Sequence, residues 1–424
     1  MIKSQARIAK SRLQEVAVLE FGLFDYLRSE HQSLLESLQV FFPENYQALF
    51  LLSMFRLAYQ SPLKHINFYY QNSYAREELP GVKLGDKSLT QLFREIGSQR
   101  PQIVNFLKTL MRQESHFLID QTHIISFSEQ LPWNKLGYNS QKVFDPQVNL
   151  LFIFSAQSKS PCFYRLLPGD IREVSTLKNT LLESGLQEAL VIGDKGFYSA
   201  KNIEMLEEEQ LSYILPLRRN HSLCDYSPIL EGHKKDFEAY FSFEKRIIWY
   251  KSFEKSDKGQ KKRKIVLFLD NELKNAEEKD YLLRIQEGKE GYNLEKFHKK
   301  QKTFGTICLC HNLDDISCPK LFEYLKSRNE IEVMIDTYKN TLDADRTYMR
   351  GQQEMETWSF INFLALMMHY KLYHQLVKKD LLKKYSPKDL ILCLQNIRKI
   401  KIANQWIDAE ITQKTQNVLN LLRN

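Results

Sequence analysis

The residues that decide the fold lie in one helical stretch, YLKSRNEIEVMIDTYK, at positions 324–339. On a helix that turns by about 100° per residue, Arg328 lies about 40° from Glu332, and Lys339 lies about 20° from it. Glu330 points roughly 160° away from Glu332. One carboxylate therefore stands between two cations on one helical face, which predicts a metal-binding acid with phosphate contacts on both sides. A solvated ion network on this face is the alternative.

Two aspartates upstream complete a possible site. Asp120 ends the apolar run that begins at His116, and Asp194 ends the apolar segment 187–194 before Gly196, which permits a sharp turn. Acids at strand ends are typical of active sites in α/β sheets, although a lone aspartate after a strand is commonly a turn former or a helix cap. Two strand aspartates and one helix glutamate together form an all-oxygen ligand set that suits Mg²⁺ or Mn²⁺.

Cysteine and histidine spacing offers a weaker alternative, a zinc site made by Cys308, Cys310, His311 and Cys318. The spacing is unusual for zinc. The six cysteines are scattered along the chain, which indicates reduced thiols in a cytosolic protein. No apolar stretch follows the first residues, so a signal peptide is not expected. The longest apolar run, 358–368, is too short to span a bilayer and predicts a buried helix.

Length and composition predict a folded protein of two or three domains. The 424 residues are 43% hydrophobic and 12% aromatic, which argues against disorder. The net charge of +8 arises from 60 basic and 52 acidic residues. This balance permits nucleic-acid binding without establishing it.

Residues 88–107 contain two short helical patterns. Ser88 could cap the first helix, Gly97 marks the turn, and Pro101 stands in the first turn of the second helix. This order is typical of a helix-turn-helix that reads DNA, and an ordinary helical hairpin fits it at least as well.

Three motifs together resemble those of the DDE transposases of bacterial insertion sequences, in the group with a β insertion before the last acid. They are LIDQTHI at 118–124, VIGDKGFYS at 191–199 followed by Asn202, and the helix at 324–339. The helix is similar to the tyrosine-arginine-glutamate-lysine signature of that group. Tyr324 lies one position further from the arginine than the signature asks, and Lys195 stands where arginine is common in the second motif.

The resemblance implies an α/β fold with a ribonuclease-H-like mixed sheet, flanking helices and an inserted β-rich subdomain. Asp120 would lie on the first strand of the core, Asp194 just after the fourth, and Glu332 on a late helix. These three acids would be catalytic and would bind Mg²⁺ or Mn²⁺. The expected DNA contacts are Arg328, Lys339 and Tyr324. Trp249 could stack on a flipped base, although a tryptophan in a strand is more often packed.

The predicted organisation has five parts. They are a helical N-terminal region expected to bind DNA (1–110), the two parts of the catalytic core (111–220 and 311–375), an inserted basic β-rich subdomain (221–310), and a helical C-terminal region (376–424). The insertion carries lysine-rich stretches at 258–264 and 298–302.

The activity implied by the resemblance is DNA transposition. The protein would cleave double-stranded DNA at the terminal inverted repeats and transfer the freed 3′ hydroxyl into target DNA. It would act as a homodimer on DNA, in the bacterial cytoplasm with the nucleoid and without a membrane. A ribonuclease-H-like nuclease that does not join strands, and a catalytically silent DNA-binding relative of a transposase, are the alternatives.

Overall fold

The computed structural model describes residues 16–138, 144–171, 177–230, 234–256, 261–402 and 404–423. The predicted basic stretch at 258–264 begins with Lys258, which lies outside these ranges. The strands are β1 (Ala17–Glu20), β2 (His116–Ser126), β3 (Lys135–Tyr138), β4 (Phe144–Ser155), β5 (Ser160–Pro168), β6 (Leu190–Ile192), β7 (Ser212–Pro216), β8 (Ala239–Phe243), β9 (Arg246–Lys255), β10 (Arg263–Asp270), β11 (Thr306–His311), β12 (Arg346–Thr347), β13 (Arg398–Ile402) and β14 (Gln405–Asp408).

Helices surround these strands and form most of both terminal regions. They are α1 (Gly22–Glu30), α2 (Gln32–Phe41), α3 (Tyr46–Tyr59), α4 (Ile66–Asn72), α5 (Ala75–Glu78), α6 (Asp86–Ser98), α7 (Arg100–Thr109), α8 (Leu177–Ser184), α9 (Ala200–Glu208), α10 (Ser227–Leu230), α11 (Asn271–Gln286), α12 (Leu294–Lys300), α13 (Cys318–Ser327), α14 (Asn329–Asp336), α15 (Gln352–Lys378), α16 (Pro387–Gln395) and α17 (Gln413–Arg423). A π-helical turn, Thr337–Thr341, follows α14 directly.

The centre of the molecule is a mixed sheet in which β5, β4, β2, β6 and β7 are neighbours in that order. β2, β6 and β7 run parallel, and β4 is antiparallel to both β2 and β5. β6 and the part of β4 from Val148 to Ser155 are rich in apolar residues because they are buried on both faces. This order and these directions confirm the expected ribonuclease-H-like sheet.

The strands of the inserted segment continue this sheet. β11 pairs antiparallel with β7, and β10, β9 and β8 follow in turn. The residues between Asp194 and Glu332 therefore add four strands to the ribonuclease-H-like part of the sheet. The insertion also contains the helices α11 and α12, which pack on each other through Tyr281 and Phe297.

The N-terminal helices pack on the core through α15. Gly97, near the end of α6, approaches α15 so closely that an added Cβ would lie 1.9 Å from the carbonyl oxygen of Gln353. The predicted helical pair is present as α6 and α7. The apolar face of α7, with Ile103 and Phe106, is buried. This packing agrees with a structural hairpin, and DNA reading by the pair stays a prediction.

α15 is the buried helix predicted from the apolar run at 358–368. Its side chains from Met355 to Leu366 are buried, so they form core within the chain rather than an exposed dimer surface. No helix in the described residues is long and apolar enough to cross a membrane.

A small antiparallel sheet in the terminal regions differs from the helical prediction. β1 pairs with β13, and β13 pairs with β14. Residues 398–402 read RKIKI, an alternation of charged and apolar side chains with the period of a strand. Asn404, with φ of 66°, turns the chain between β13 and β14. The pairing ties the two ends of the described chain together.

Candidate active site

Asp120 lies near the middle of β2, between the strands β4 and β6. Its side chain is 15% exposed, and one carboxylate oxygen accepts a hydrogen bond of 2.8 Å from the backbone N–H of Gln121. The buried strand fixes the carboxylate at the sheet surface, as the first motif implied.

Asp194 lies two residues beyond β6, where the chain leaves the sheet. The carbonyl of Asp194 accepts a hydrogen bond from the N–H of Phe197, which closes a turn. Ser199 caps α9 by accepting from the N–H of Asn202, and the Asn202 side chain donates to the carbonyl of Phe197. The polar residues of the second motif therefore hold the loop that presents Asp194.

Glu332 lies on α14, which begins just after a break in the predicted helix at Arg328. The two residues are one turn apart, and Nη2 of Arg328 lies 3.1 Å from Oε1 of Glu332. Glu330 points to the other side and pairs with Lys159 at 3.0 Å. Asp336 accepts a hydrogen bond from Asn340. The structure thus separates Glu332 from the other acids of its helix.

The guanidinium of Arg328 contacts all three acids. Nη2 lies 3.5 Å from Oδ2 of Asp120, and Nη1 lies 3.3 Å from Oδ1 of Asp194, in addition to the contact with Glu332. The Arg328 side chain is only 14% exposed. The three acids, which are far apart in sequence, therefore meet around one positive charge, the guanidinium of Arg328.

The three carboxylates fit a divalent ion by their chemistry, since they offer only oxygen ligands. As the side chains stand, no three His, Cys, Asp or Glu residues of the described part are close enough together to hold a metal ion. The Arg328 guanidinium lies among the three acids and contacts each of them.

The environment of Asp120 makes its carboxyl a weaker acid than an exposed aspartate. Burial raises the pKa of the Asp120 carboxyl to about 6, against the opposing effects of the Arg328 guanidinium and the N–H of Gln121. The negative charges of Asp194 and Glu332 raise this pKa further. Such mutual repulsion is typical of carboxylates gathered around a cation site.

Lys339 and Tyr324 lie outside this group of ion pairs. Lys339 is half-buried on the π-helical turn, where burial lowers the pKa of its ammonium. Its charge also contributes to the lowered pKa of His123 on β2, which is about 4 and results mainly from burial. The Tyr324 hydroxyl lies 3.1 Å from Nε2 of His116, and its ring stacks at a tilt on that imidazole.

Arg56 holds the chain that follows α14 in place, and the sequence motifs did not predict this role. It lies on α3, and its guanidinium donates to the carbonyls of Leu342 and Asp343 at the end of the π-helical turn. Its Nε donates to Asn362 at 2.9 Å, and the guanidinium lies over the Trp358 ring. The signal was present, because Arg56 is the only charged residue in the apolar helix α3.

Trp249 and three of the four candidate zinc ligands lie on the strands that the insertion adds to the sheet. Cys308 and Cys310 are buried on β11, and all six cysteines are free thiols. As at the three acids, no group of three His, Cys, Asp or Glu side chains is placed to hold a metal ion here among the described residues. The Trp249 ring contacts the rings of Phe237 and Tyr240, so the packed alternative agrees with its surroundings.

Comparison with known proteins identifies the family. The family model for the transposase DDE domain matches residues 111–368, which is more than half of the chain and includes all three acids. No curated protein matches the sequence. A solved structure titled "Cryo-EM structure of piggyBac transposase synaptic complex with hairpin DNA" shows a distant likeness, with 13% identity and a TM-score of 0.43 over 83% of this chain and 70% of that one. On the strength of the matched domain, this chain belongs to the DDE transposase family.

Proposed function

We propose that this protein cleaves DNA at the ends of its transposable element and transfers the freed 3′ hydroxyl into target DNA. The observation that carries the proposal is the convergence of Asp120, Asp194 and Glu332 on one guanidinium. Three strand and helix carboxylates that meet in this way are a suitable ligand set for the divalent ions on which DDE transposases generally depend.

Asp120, Asp194 and Glu332 would hold Mg²⁺ or Mn²⁺. Two such ions, when bound, activate a water or a 3′ hydroxyl and stabilise the leaving oxygen of a phosphodiester. Asp120 and Asp194 are held by the sheet and its turn, so they keep a fixed separation. Glu332, whose side chain is 55% exposed, is the adjustable member of the three.

Arg328 would bind the DNA once its three carboxylates have another cation to neutralise them. Its guanidinium is planar and carries several donors, so it can then bind a phosphate next to the cleaved bond. Lys339, seven residues after Glu332, would contact a second phosphate. Tyr324 stays a predicted DNA contact whose hydroxyl is already bonded to His116.

The partners of the proposal are double-stranded DNA, with terminal inverted repeats and target sites, and a second copy of the chain on that DNA. The net charge of +8 supplies favourable, salt-dependent attraction to the phosphate backbone. A cytoplasmic, nucleoid-associated location follows from the proposed substrate.

Two assays on one substrate test the proposal. A labelled duplex that ends in the element's terminal repeat is incubated with Mg²⁺, and a supercoiled plasmid is offered as target. The proposal predicts cleavage at the repeat edge and joining to the plasmid, both lost in Asp194→Asn. Cleavage without joining would identify a nuclease, and binding without cleavage would identify a silent DNA-binding relative; either result would overturn the proposal.

A further inference from the structure

Two cysteines lie next to each other where the loop after β7 packs on β11. Cys308 lies on β11 and is 3% exposed. Cys224 lies in the loop between β7 and α10 and is half-buried. The thiols of these two residues are hydrogen-bonded to each other. Two sulfur atoms separated by 84 positions of sequence (308 − 224) are therefore neighbours in the fold.

Backbone contacts place the loop on β11 independently of the two thiols. The N–H of Leu217 donates to the carbonyl of Cys308 at 2.8 Å, and the Arg219 side chain donates to the first carbonyl of β11 at 3.2 Å. The Cys224 sulfur lies 3.5 Å from the carbonyl oxygen of Arg218, the residue between Leu217 and Arg219. The position of the Cys224 thiol thus follows from the path of the loop.

The hydrogen bond between the thiols makes them chemically unequal. It lowers the pKa of the Cys224 thiol and raises the pKa of the Cys308 thiol, and burial raises both pKa values. The positive charge of Lys255 also lowers the pKa of Cys224. Since the thiolate is the reactive form of cysteine, Cys224 is the better nucleophile of the pair. Cys224 also borders a cavity of about 1010 Å³, which gives a small molecule access to its sulfur.

Exposure alone does not distinguish Cys224 from other cysteines of the chain. Cys318 and Cys393 are half-buried as well, and burial raises the pKa of each. The Cys318 thiol lies 3.4 Å from the Ser252 hydroxyl. Cys224 differs from both by its lowered pKa and by the second thiol beside it.

We propose that Cys224 and Cys308 form a pair that reacts with hydroperoxides, in which Cys224 is oxidised first and Cys308 then closes a disulfide. The Cys224 sulfur attacks the terminal oxygen of the hydroperoxide, the O–O bond breaks, and the alcohol leaves with the thiol proton. Cys224 becomes a sulfenic acid, and the hydroperoxide is reduced to the alcohol, or to water in the case of hydrogen peroxide. The Cys308 sulfur then attacks the sulfenic sulfur, the S–S bond forms, and the hydroxyl leaves with the Cys308 proton as water.

The first step prepares the second step. The Cys224 sulfur is the hydrogen-bond partner and the charge that raise the pKa of Cys308. Oxidation of Cys224 removes this thiolate, so Cys308 ionises more readily next to the sulfenic acid. A disulfide requires Cβ atoms about 3.5–4.5 Å apart. Cys224 lies in a segment outside helices and strands, which can adjust to this distance while Cys308 stays on β11.

The disulfide joins the two ends of the inserted segment. Its ring of chain contains β8, β9 and β10 together with α11 and α12. A cross-link that closes a long ring restricts the unfolded chain and so stabilises the folded one. The oxidised protein is therefore expected to unfold at a higher temperature than the reduced protein, and a dithiol should reverse the change.

The test uses the full chain without DNA and without divalent metal, so its outcome is independent of the proposed function. Reduced protein is treated with an equimolar amount of hydrogen peroxide, free thiols are blocked with N-ethylmaleimide, and an unreduced digest is analysed by mass spectrometry. Free thiols are expected to fall from six to four. The Cys224 and Cys308 peptides should appear joined and lighter by two hydrogen atoms than their sum. Dithiothreitol should restore all six thiols.

Three variants assign the roles of the two sulfur atoms. Cys308→Ala should accumulate the Cys224 sulfenic acid, which dimedone traps, because the second thiol is missing. Cys224→Ser should keep its five remaining thiols reduced. The matched control is Cys393→Ser, which removes a half-buried cysteine on α16 and should form the disulfide as the wild type does. Thermal unfolding of each reduced variant checks that the fold is retained.

Three results would overturn the inference. One is a treated wild type that keeps all six thiols. Another is a disulfide that joins Cys224 to a cysteine other than Cys308, in the same chain or in a second copy. The third is a Cys224 sulfenic acid that persists in the wild type, which would show that Cys308 does not react with it. The wild-type digest decides among these results even if Cys308→Ala does not fold.

Discussion

The guanidinium of Arg328 lies 3.3 Å from the carboxylate of Asp194 and so joins the start of α14 to the end of β6. The same group contacts Asp120 and Glu332. A single internal cation therefore balances three negative charges that would otherwise repel one another. A divalent ion that binds the same carboxylates has to compete with this guanidinium.

Removal of that competitor should strengthen metal binding by the free protein. Arg328→Gln is expected to lower the dissociation constant for Mn²⁺ by about tenfold or more, because a nearby positive charge is lost and the ligands are released. Titration of Mn²⁺ by electron paramagnetic resonance, without DNA, measures the change.

Lys195→Gln is the control for that measurement. Lys195 follows Asp194 directly, is exposed, and carries the same charge, but it lies outside the Arg328 ion pairs. Its loss should change the Mn²⁺ dissociation constant by less than about threefold, because exposed charges are well screened. Equal effects of both substitutions, or weaker binding by Arg328→Gln, would contradict competition at the site.

Loss of Arg56 should destabilise the whole fold. Arg56→Met removes the donors to the buried carbonyl of Leu342 and to the partly buried carbonyl of Asp343. The expected loss of unfolding free energy is about 3 kcal/mol, measured by urea denaturation. Arg94→Met removes an exposed pair with Glu354 and should cost less than about 1 kcal/mol. Equal losses of unfolding free energy in the two variants would contradict a stabilising role of the buried Arg56 hydrogen bonds.

Gly97 should not tolerate a side chain. In Gly97→Ala the new Cβ would collide with the backbone of Gln353, so α6 and α15 would have to separate. A loss of about 2 kcal/mol or more in unfolding free energy is expected. At Gly85 an added Cβ meets nothing within 4 Å, so Gly85→Ala should leave stability within about 0.5 kcal/mol of the wild type. A stable Gly97→Ala protein would contradict the close packing of these helices.

Glu20 should make stability depend on pH. It accepts a hydrogen bond from the N–H of Leu23, and burial raises the pKa of its carboxyl from 4.5 to about 7. The folded chain therefore binds more protons at this group than the unfolded chain, and stability falls as pH rises from about 4.5 to about 7.

Glu20→Gln keeps an acceptor and removes the ionisation. The variant should be more stable than the wild type at pH 8 and equally stable at pH 4, as judged by urea denaturation at both values. The exposed Glu36→Gln should show no such difference between the two pH values. A stability gain that is the same at pH 4 and pH 8 would exclude a raised pKa as its cause.

The sequence predicted the central ribonuclease-H-like sheet and the elements on which the three acids lie. Asp120 and Asp194 were recognisable because each ends an apolar run, and Glu332 was separable from Glu330 by helical phase alone. The phase argument agrees with the structure for Arg328 and Glu332, which are one turn apart. It did not foresee the π-helical turn that carries Lys339.

Contacts between residues far apart in sequence could not be predicted from hydrophobic periodicity or helical phase. The Arg56 anchor joins residues 286 and more positions apart, and no period in the sequence reports such a contact. The contact of Arg328 with all three acids is of the same kind. The strand pairing of β1 with β13 was missed because each is short and lies among strong helical patterns. The catalytic roles of the acids and the boundaries of the five regions stay predictions.

The most direct test compares two glutamates on the same helix. Glu332→Gln and Glu330→Gln remove the same charge two residues apart, and only Glu332 belongs to the proposed metal site. With Mg²⁺ and a labelled terminal-repeat duplex, nicking by Glu332→Gln should fall by about a hundredfold or more, while Glu330→Gln should nick at nearly the wild-type rate. Nicking by Glu332→Gln at the wild-type rate would contradict the assignment of the three acids as the catalytic site.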